Sequence, residues 1–243
     1  MKVFSKILLA FGIITIVAGC DVSQQGTDLR ASGSSTPAAK APSAWFGATD
    51  TVALKLDSSL MRKNYYIILD GSSSMEGRAG GDVKIVAAKD AISRFAKSIP
   101  PDANLGLFVF NDAGVSERVP LGTGNRPRFM SALGTVSAGG GTPLRSAITN
   151  AYERIRAQAQ RQLGYGEYHL VIVTDGEANF GEDPRDIVDK IVSESPVVLH
   201  TIGFGIDEGH SLNQKGKVFY KSAADKAALQ KGLADVVAES DKF

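Results

Sequence analysis

The stretch Tyr65-Tyr66-Ile67-Ile68-Leu69-Asp70-Gly71-Ser72-Ser73-Ser74 decides the fold. Five large apolar or aromatic residues in succession, with no polar residue alternating among them, have the pattern of a strand buried on both faces, as in a parallel sheet covered by helices. The run stops at an aspartate followed by glycine and serines, which favour a turn. A second run of the same kind, Tyr168-His169-Leu170-Val171-Ile172-Val173, passes directly into Thr174-Asp175-Gly176-Glu177. Each strand therefore delivers one aspartate to its carboxyl end.

Between and around these strands the pattern alternates. Val83 to Ile99 carries apolar residues at helical spacing and is stopped by Pro100-Pro101. A strand is expected at Leu105 to Phe110, an edge strand near Val115 to Val119, and a long helix from about Leu144 to Leu163. A helix over Pro184 to Glu194, a strand over Val197 to Ile202, the segment Lys217 to Tyr220 and a closing helix from Lys226 to Glu239 complete the series. Such alternation predicts an α/β fold, a doubly wound, mostly parallel sheet of Rossmann-like type with helices on both faces and right-handed crossovers. No internal repeat and no second domain is visible. In open sheets of this class ligands bind beyond the carboxyl ends of the strands, where the chain switches direction across the sheet. Both aspartates are expected there.

Between the two strands lies Gly139-Gly140-Gly141-Thr142-Pro143, a flexible loop that places a hydroxyl just ahead of the long helix. Asp70, Ser72, Ser74, Thr142 and Asp175 then form a set of two carboxylates and three hydroxyls, all oxygen. Oxygen ligands suit a hard cation, Mg2+ or Mn2+, and the lone Cys20 offers no thiolate set for zinc or copper. The glycine triplet lacks the lysine and spacing of a phosphate-binding loop.

These residues resemble the metal ion-dependent adhesion site of the von Willebrand factor type A domain family. The resemblance covers roughly Asn64 to the C-terminus and includes, in order, the D-x-S-x-S run, the later threonine and the later aspartate. It implies that Ser72, Ser74 and Thr142 coordinate by hydroxyl and that Asp70 and Asp175 bind directly or through water. A sixth position then remains for a carboxylate from a protein partner. Ser73 stands where glycine is common in the family, a change expected to stiffen the loop without removing a ligand. Glu177, Asn179 and Glu182 follow the second aspartate, where they flank the partner site or solvate it.

The N-terminus has its own logic. Lys2 and Lys6 precede an apolar run from Ile7 to Val17, then Ala18, Gly19 and Cys20. This is the order of a secretory leader, and the run falls short of the about 20 apolar residues that a spanning helix needs. Val17-Ala18-Gly19-Cys20 resembles the bacterial lipobox, which implies fatty acylation of Cys20 and attachment to a membrane. Asp21 is similar to the signal that retains such lipoproteins in the inner membrane. From Val22 to about Thr51 the chain is rich in Ser, Gly, Thr, Ala and Pro, a composition that buries too little surface to offset its ordering entropy. The expected organisation is a leader over 1–19, lipidated Cys20 and linker over 20–58, and one folded domain over 59–243. Trp45 and Phe46 interrupt the linker and dock on the domain or on the membrane, the domain being favoured.

With 27 basic and 26 acidic residues, and no Lys/Arg cluster, nothing draws the chain to nucleic acid. His169, His200 and His210 fall at a strand start, a strand end and a polar loop, and are expected to be structural or solvated. The expected function is a protein-binding module that captures a partner's acidic residue, not an enzyme. An envelope scaffold with a structural metal is the alternative. A phosphotransferase using Asp70 as nucleophile requires a second acid two residues on, where this chain has Ser72.

Overall fold

The computed structural model describes residues 55–206 and 208–240. The leader, Cys20, Asp21, Trp45 and Phe46 lie outside the described residues. Strand β1, Lys63–Asp70, is the heart of the molecule: from Asn64 to Asp70 every residue is buried. A short 3-10 turn, Ser73–Glu76, and the two-residue strands β2, Arg78–Ala79, and β3, Asp82–Val83, lead into helix α1, Lys84–Ser98. Gly80 and Gly81 both have positive φ at the tip of that small hairpin, the requirement of its two-residue turn. There follow β4, Asn104–Asn111, β5, Gly114–Gly122, α2, Arg126–Gly134, α3, Leu144–Arg161, and β6, Glu167–Thr174. The chain ends through α4, Arg185–Glu194, β7, Val198–Phe204, β8, Phe219–Ala223, and α5, Lys226–Ser240.

The six long strands form one sheet in the order β5-β4-β1-β6-β7-β8, with only the edge strand β5 antiparallel to its neighbour. Successive β1 side chains alternate between two cores. Tyr65, Ile67 and Leu69 pack with α1, α2 and α5 through residues such as Ile92, Phe129 and Leu233. Tyr66 and Ile68 pack on the opposite face with α3 and α4 through Ile148, Tyr152 and Val188. This is the expected doubly wound architecture. From β1 the chain moves outward to β4 and later returns on the other side of β1 as β6, so the switch point lies between the ends of β1 and β6.

Four details differ from the sequence reading. Helix α2 is unforeseen, because only Phe129 and Leu133 of its nine residues are buried, too few to establish a period. Strand β8 begins two residues beyond the start expected from Lys217 and runs on to Ala223; as an edge strand with one buried residue it has little apolar signal. His200 is the third residue of β7, inside the strand and not at its end. Contacts with the folded body also start ahead of residue 59: the Asp57 amide donates to the Arg161 carbonyl at 2.8 Å, and Gln158 Nε2 donates to Asp57 Oδ2 at 2.7 Å.

Candidate metal centre

Asp70 is the last residue of β1 and Thr174 the last of β6. Parallel pairing of these adjacent strands brings the two loops that follow them together at one edge of the sheet. The Gly71 amide donates to the Phe110 carbonyl of β4 at 2.8 Å, and the Gly71 carbonyl accepts from the Gly139 amide at 2.7 Å. A Cβ at residue 71 would come within 2.9 Å of the Phe110 carbonyl oxygen and 3.2 Å of that of Ser137, so only glycine lets the loops approach this closely. Ser73 bonds Gly140 twice, its amide at 3.0 Å and its hydroxyl at 2.6 Å from the same carbonyl oxygen. The serine in the family's usual glycine place thus clamps the first loop to the glycine triplet.

Within this frame the sequence-predicted residues converge. Asp70 Oδ1 accepts from the Ser72 amide at 2.7 Å, and Oδ2 from the Thr174 hydroxyl at 2.6 Å. Burial pushes the Asp70 carboxyl above the usual carboxylate range; the charge of Asp175 acts the same way, and the bonds from Ser72 and Thr174 oppose it. Ser74 donates its hydroxyl proton to Asp175 Oδ1 at 2.6 Å. Ser72 Oγ lies 2.9 Å from Ser74 Oγ, whose own proton is committed to Asp175.

Thr142 is held by its backbone: its amide donates to Asn179 Oδ1 at 3.0 Å and its carbonyl accepts from the Asn179 amide at 3.0 Å. Its hydroxyl has no hydrogen-bond partner among the described residues. A Cβ added at Gly176 would lie 3.5 Å from Ser74 Oγ and 3.7 Å from Thr142 Oγ1, so the two hydroxyls flank the space above this glycine. Asn179 is therefore a brace for Thr142. Glu182 caps α3, accepting from the Ser146 amide and hydroxyl, each at 2.7 Å, where the amides at a helix start need partners and favour negative charge. Glu177 is exposed.

Two residues at the site escaped the sequence reading. His210 takes the structural of its two expected roles, but at this site: it is buried, and its Nε2–H donates to the Gly176 carbonyl at 2.8 Å while Nδ1 accepts from the Leu212 amide at 3.0 Å. Those two bonds fix its tautomer and prop the loop behind Asp175. Lys84, the first residue of α1, pairs its Nζ with Asp175 Oδ2 at 2.7 Å. No local motif marks either residue.

The profile of the von Willebrand factor type A domain matches residues 64–232, the span that builds both loops, the glycine triplet and the sheet beneath them. The chain belongs to the von Willebrand factor type A domain family. It is 30% identical over 158 residues to YwmD, an uncharacterized protein of Bacillus subtilis, covering 59% of this chain and 69% of YwmD. Among solved structures it resembles the pilus adhesin SpaC from Lactobacillus rhamnosus GG, with a TM-score of 0.60 and 16% identity over 76% of this chain and 31% of SpaC. The manganese-loaded TRAP protein of Plasmodium vivax superposes with a TM-score of 0.53 and 18% identity, over 72% of this chain and 73% of TRAP.

The donor set has the chemistry that the family's metal requires. Its atoms are oxygens, and it presents a hydroxyl, that of Thr142, with no bond to the described residues, beside a space that a single methyl group at residue 176 would enter. Among the described residues no group of three or more His, Cys, Asp or Glu is arranged to hold an ion. Beside the two carboxylates, the oxygens that the geometry brings to this edge include the hydroxyls of Ser72, Ser74 and Thr142.

Proposed function

We propose that this chain is a membrane-tethered binding module in which Asp70, Ser72, Ser74, Thr142 and Asp175 hold Mg2+ or Mn2+ and a protein partner supplies an Asp or Glu carboxylate. One observation carries the reading: two carboxylates and three neutral hydroxyls meet at the switch point of the sheet, with one carboxylate already paired to a lysine. The ion, when bound, supplies Lewis-acid attraction for a carboxylate oxygen. The protein's part is to hold few anionic ligands, so that this attraction is not exhausted within the site. Ser72 and Ser74 are set by their mutual bond, Thr142 by Asn179, and Asp175 by Ser74 and Lys84. Likeness to a pilus adhesin and to a manganese-loaded protein supports the reading. A nucleophilic role for Asp70 is disfavoured because the residue two positions on, where a phosphotransferase needs a second acid, is Ser72.

Thr142→Ala is expected to weaken partner capture more than metal binding, because it removes one neutral ligand and leaves both carboxylates to hold the ion. The measurement pairs magnesium titrations with pull-downs of the detergent-solubilised chain, with magnesium and with chelator. Partners retained equally in chelator would refute the metal-bridged mechanism. Parallel losses of metal and partner in the variant would mean that the threonine only holds the ion.

The tether is the lipid of Cys20, supported by the leader and lipobox order, and Asp21 favours the inner membrane. Cys20→Ala is expected to remain unacylated and to leave the membrane fraction. Fatty-acid labelling undiminished in the variant would overturn the anchor.

A further inference from the structure

We propose that Lys84 is a tethered counter-cation of the candidate metal site, which restrains how tightly the site holds its ion and thereby keeps the ion attractive to an incoming carboxylate. The inference rests on the metal reading above and adds to it a residue outside the five ligands.

The ion pair is built into the fold. Lys84 Nζ lies 2.7 Å from Asp175 Oδ2, with the lysine side chain 13% exposed and that of the aspartate fully buried. The Lys84 amide donates to the Gly77 carbonyl at 2.8 Å, which fixes where the side chain begins. Its stem then runs past Gly205, the residue that follows β7. A Cβ there would meet Lys84 Cε at 3.1 Å, Nζ at 3.5 Å and the Ala79 methyl at 3.3 Å. Gly205 has φ +73°, so the backbone favours glycine at a place where a side chain would crowd the lysine.

Helix electrostatics do not explain this lysine. It is the first residue of α1, the end of a helix that repels a cation. Its partner is Asp175, in the loop that follows β6, and that pairing has two consequences. Asp175 Oδ2 is occupied by the ammonium, so only Oδ1, which accepts from Ser74, is turned to the other ligands. The charge of the site also changes: two carboxylates and one ammonium leave one net negative charge, which a divalent ion converts to one net positive charge. Without the ammonium the loaded site is neutral and draws a partner carboxylate less. Like charges a few ångströms apart in a partly buried site repel strongly enough to alter ion affinity by at least about an order of magnitude. Lys84 thus weakens metal retention and strengthens carboxylate capture.

The test uses the full chain in detergent, stripped of metal, as wild type, Lys84→Met and Lys84→Arg. Calorimetric titration with MnCl2 is expected to give about tenfold or tighter Mn2+ binding for K84M and near wild-type binding for K84R. Sodium acetate titrated into the Mn2+-loaded proteins, followed by water-proton relaxation, is expected to give a weaker response in K84M. In chelator, K84M is expected to melt below wild type because Asp175 has lost its partner, and Mn2+ is expected to raise its melting temperature more. If K84M does not fold by circular dichroism, Lys84→Gln, which keeps a polar tip without charge, is read in its place. Wild type that binds Mn2+ with K84M unchanged or weaker would overturn the role of Lys84 alone. Wild type that binds no Mn2+ would overturn the metal reading and this proposal with it.

Discussion

Asp70→Ala is expected to abolish binding of Mg2+ and Mn2+ while the sheet stays folded. The carboxylate sits at the last position of β1, where its two oxygens accept from the Ser72 amide and the Thr174 hydroxyl. Truncation removes one of the two proposed anionic ligands and also the acceptor that shapes the Asp70–Ser74 turn, so Ser72 and Ser74 lose their positions too. Loss of a partner that merely orients a ligand costs about 10–100-fold in affinity, so losing a charged ligand together with its loop is expected to cost on the order of a hundredfold or more. The fold tolerates the change because the apolar residues of β1 that serve both cores, Tyr65 to Leu69, all precede position 70. Burial and the neighbouring Asp175 also make the ionised Asp70 costly to the metal-free protein. Asp70→Asn, which keeps an acceptor for the Ser72 amide, is therefore expected to melt at or above wild type in chelator yet gain nothing from added metal. Calorimetry and thermal melts with and without Mn2+ check both variants. Mn2+ binding equal to wild type by either would move the site away from β1.

Acid is expected to destabilise the fold from about pH 6.5 downward, through two buried histidines. His169 of β6 and His200 of β7 are buried side by side, Nδ1 of one 3.3 Å from Nε2 of the other. They continue a row of rings across the sheet, with Tyr65 stacked on His169 and Phe219 on His200. Burial lowers His169 to about 4, against an opposing pull from Glu167, and lowers His200 to about 3, with repulsion from His169 and Lys221 adding to it. The groups facing the pair are Glu167 and Glu239, themselves paired with Lys63 and Lys221.

A histidine whose pKa is lowered by folding leaves the unfolded chain binding the extra proton. Stability is therefore fully present above about pH 6.5 and falls as pH drops toward the folded values. By pH 5 the loss is roughly 2 kcal/mol for each histidine, because every pH unit below the unfolded value costs about 1.4 kcal/mol until the folded ring also takes up its proton. Asp70, whose pKa is raised, acts in the opposite direction and offsets part of it. Urea unfolding at pH 7, 6 and 5 tests this against the double variant His169→Phe/His200→Phe, which removes both members of the pair and leaves neither with a lost partner. The double variant is expected to show a much flatter profile over that range. An equally steep profile would assign the acid sensitivity elsewhere.

The site was legible in the sequence to the extent that its residues lie beside strong periodic signals. Asp70 and Asp175 each follow a continuous apolar run, and such a run has the pattern of a strand buried on both sides, so their placement at a sheet edge followed from pattern alone. Ser72 and Ser74 came with Asp70 because they share its turn. Thr142 was marked by the glycines before it and the helix after it. His210 and Lys84 carry no such marker: one lies in a polar loop and the other reads as an ordinary first residue of a helix. The same holds for α2 and β8, whose few buried residues give periodicity nothing to count.

By itself, then, the sequence determined the strands, most of the helices and the identity of the candidate oxygen ligands, because burial on one or both faces of an element imposes a period on the residues that form it. Only the tertiary structure decided which groups meet across that scaffold. Residues Lys84 and Asp175 are 91 positions apart and His210 and Gly176 are 34 apart. Those contacts depend on the order in which the strands are laid down, β1 beside β6 and β7 beside β8, and on loops whose course no local period records. The pairing of His169 with His200 is of the same kind, since the register between β6 and β7 is what turns two separately placed histidines into one buried pair.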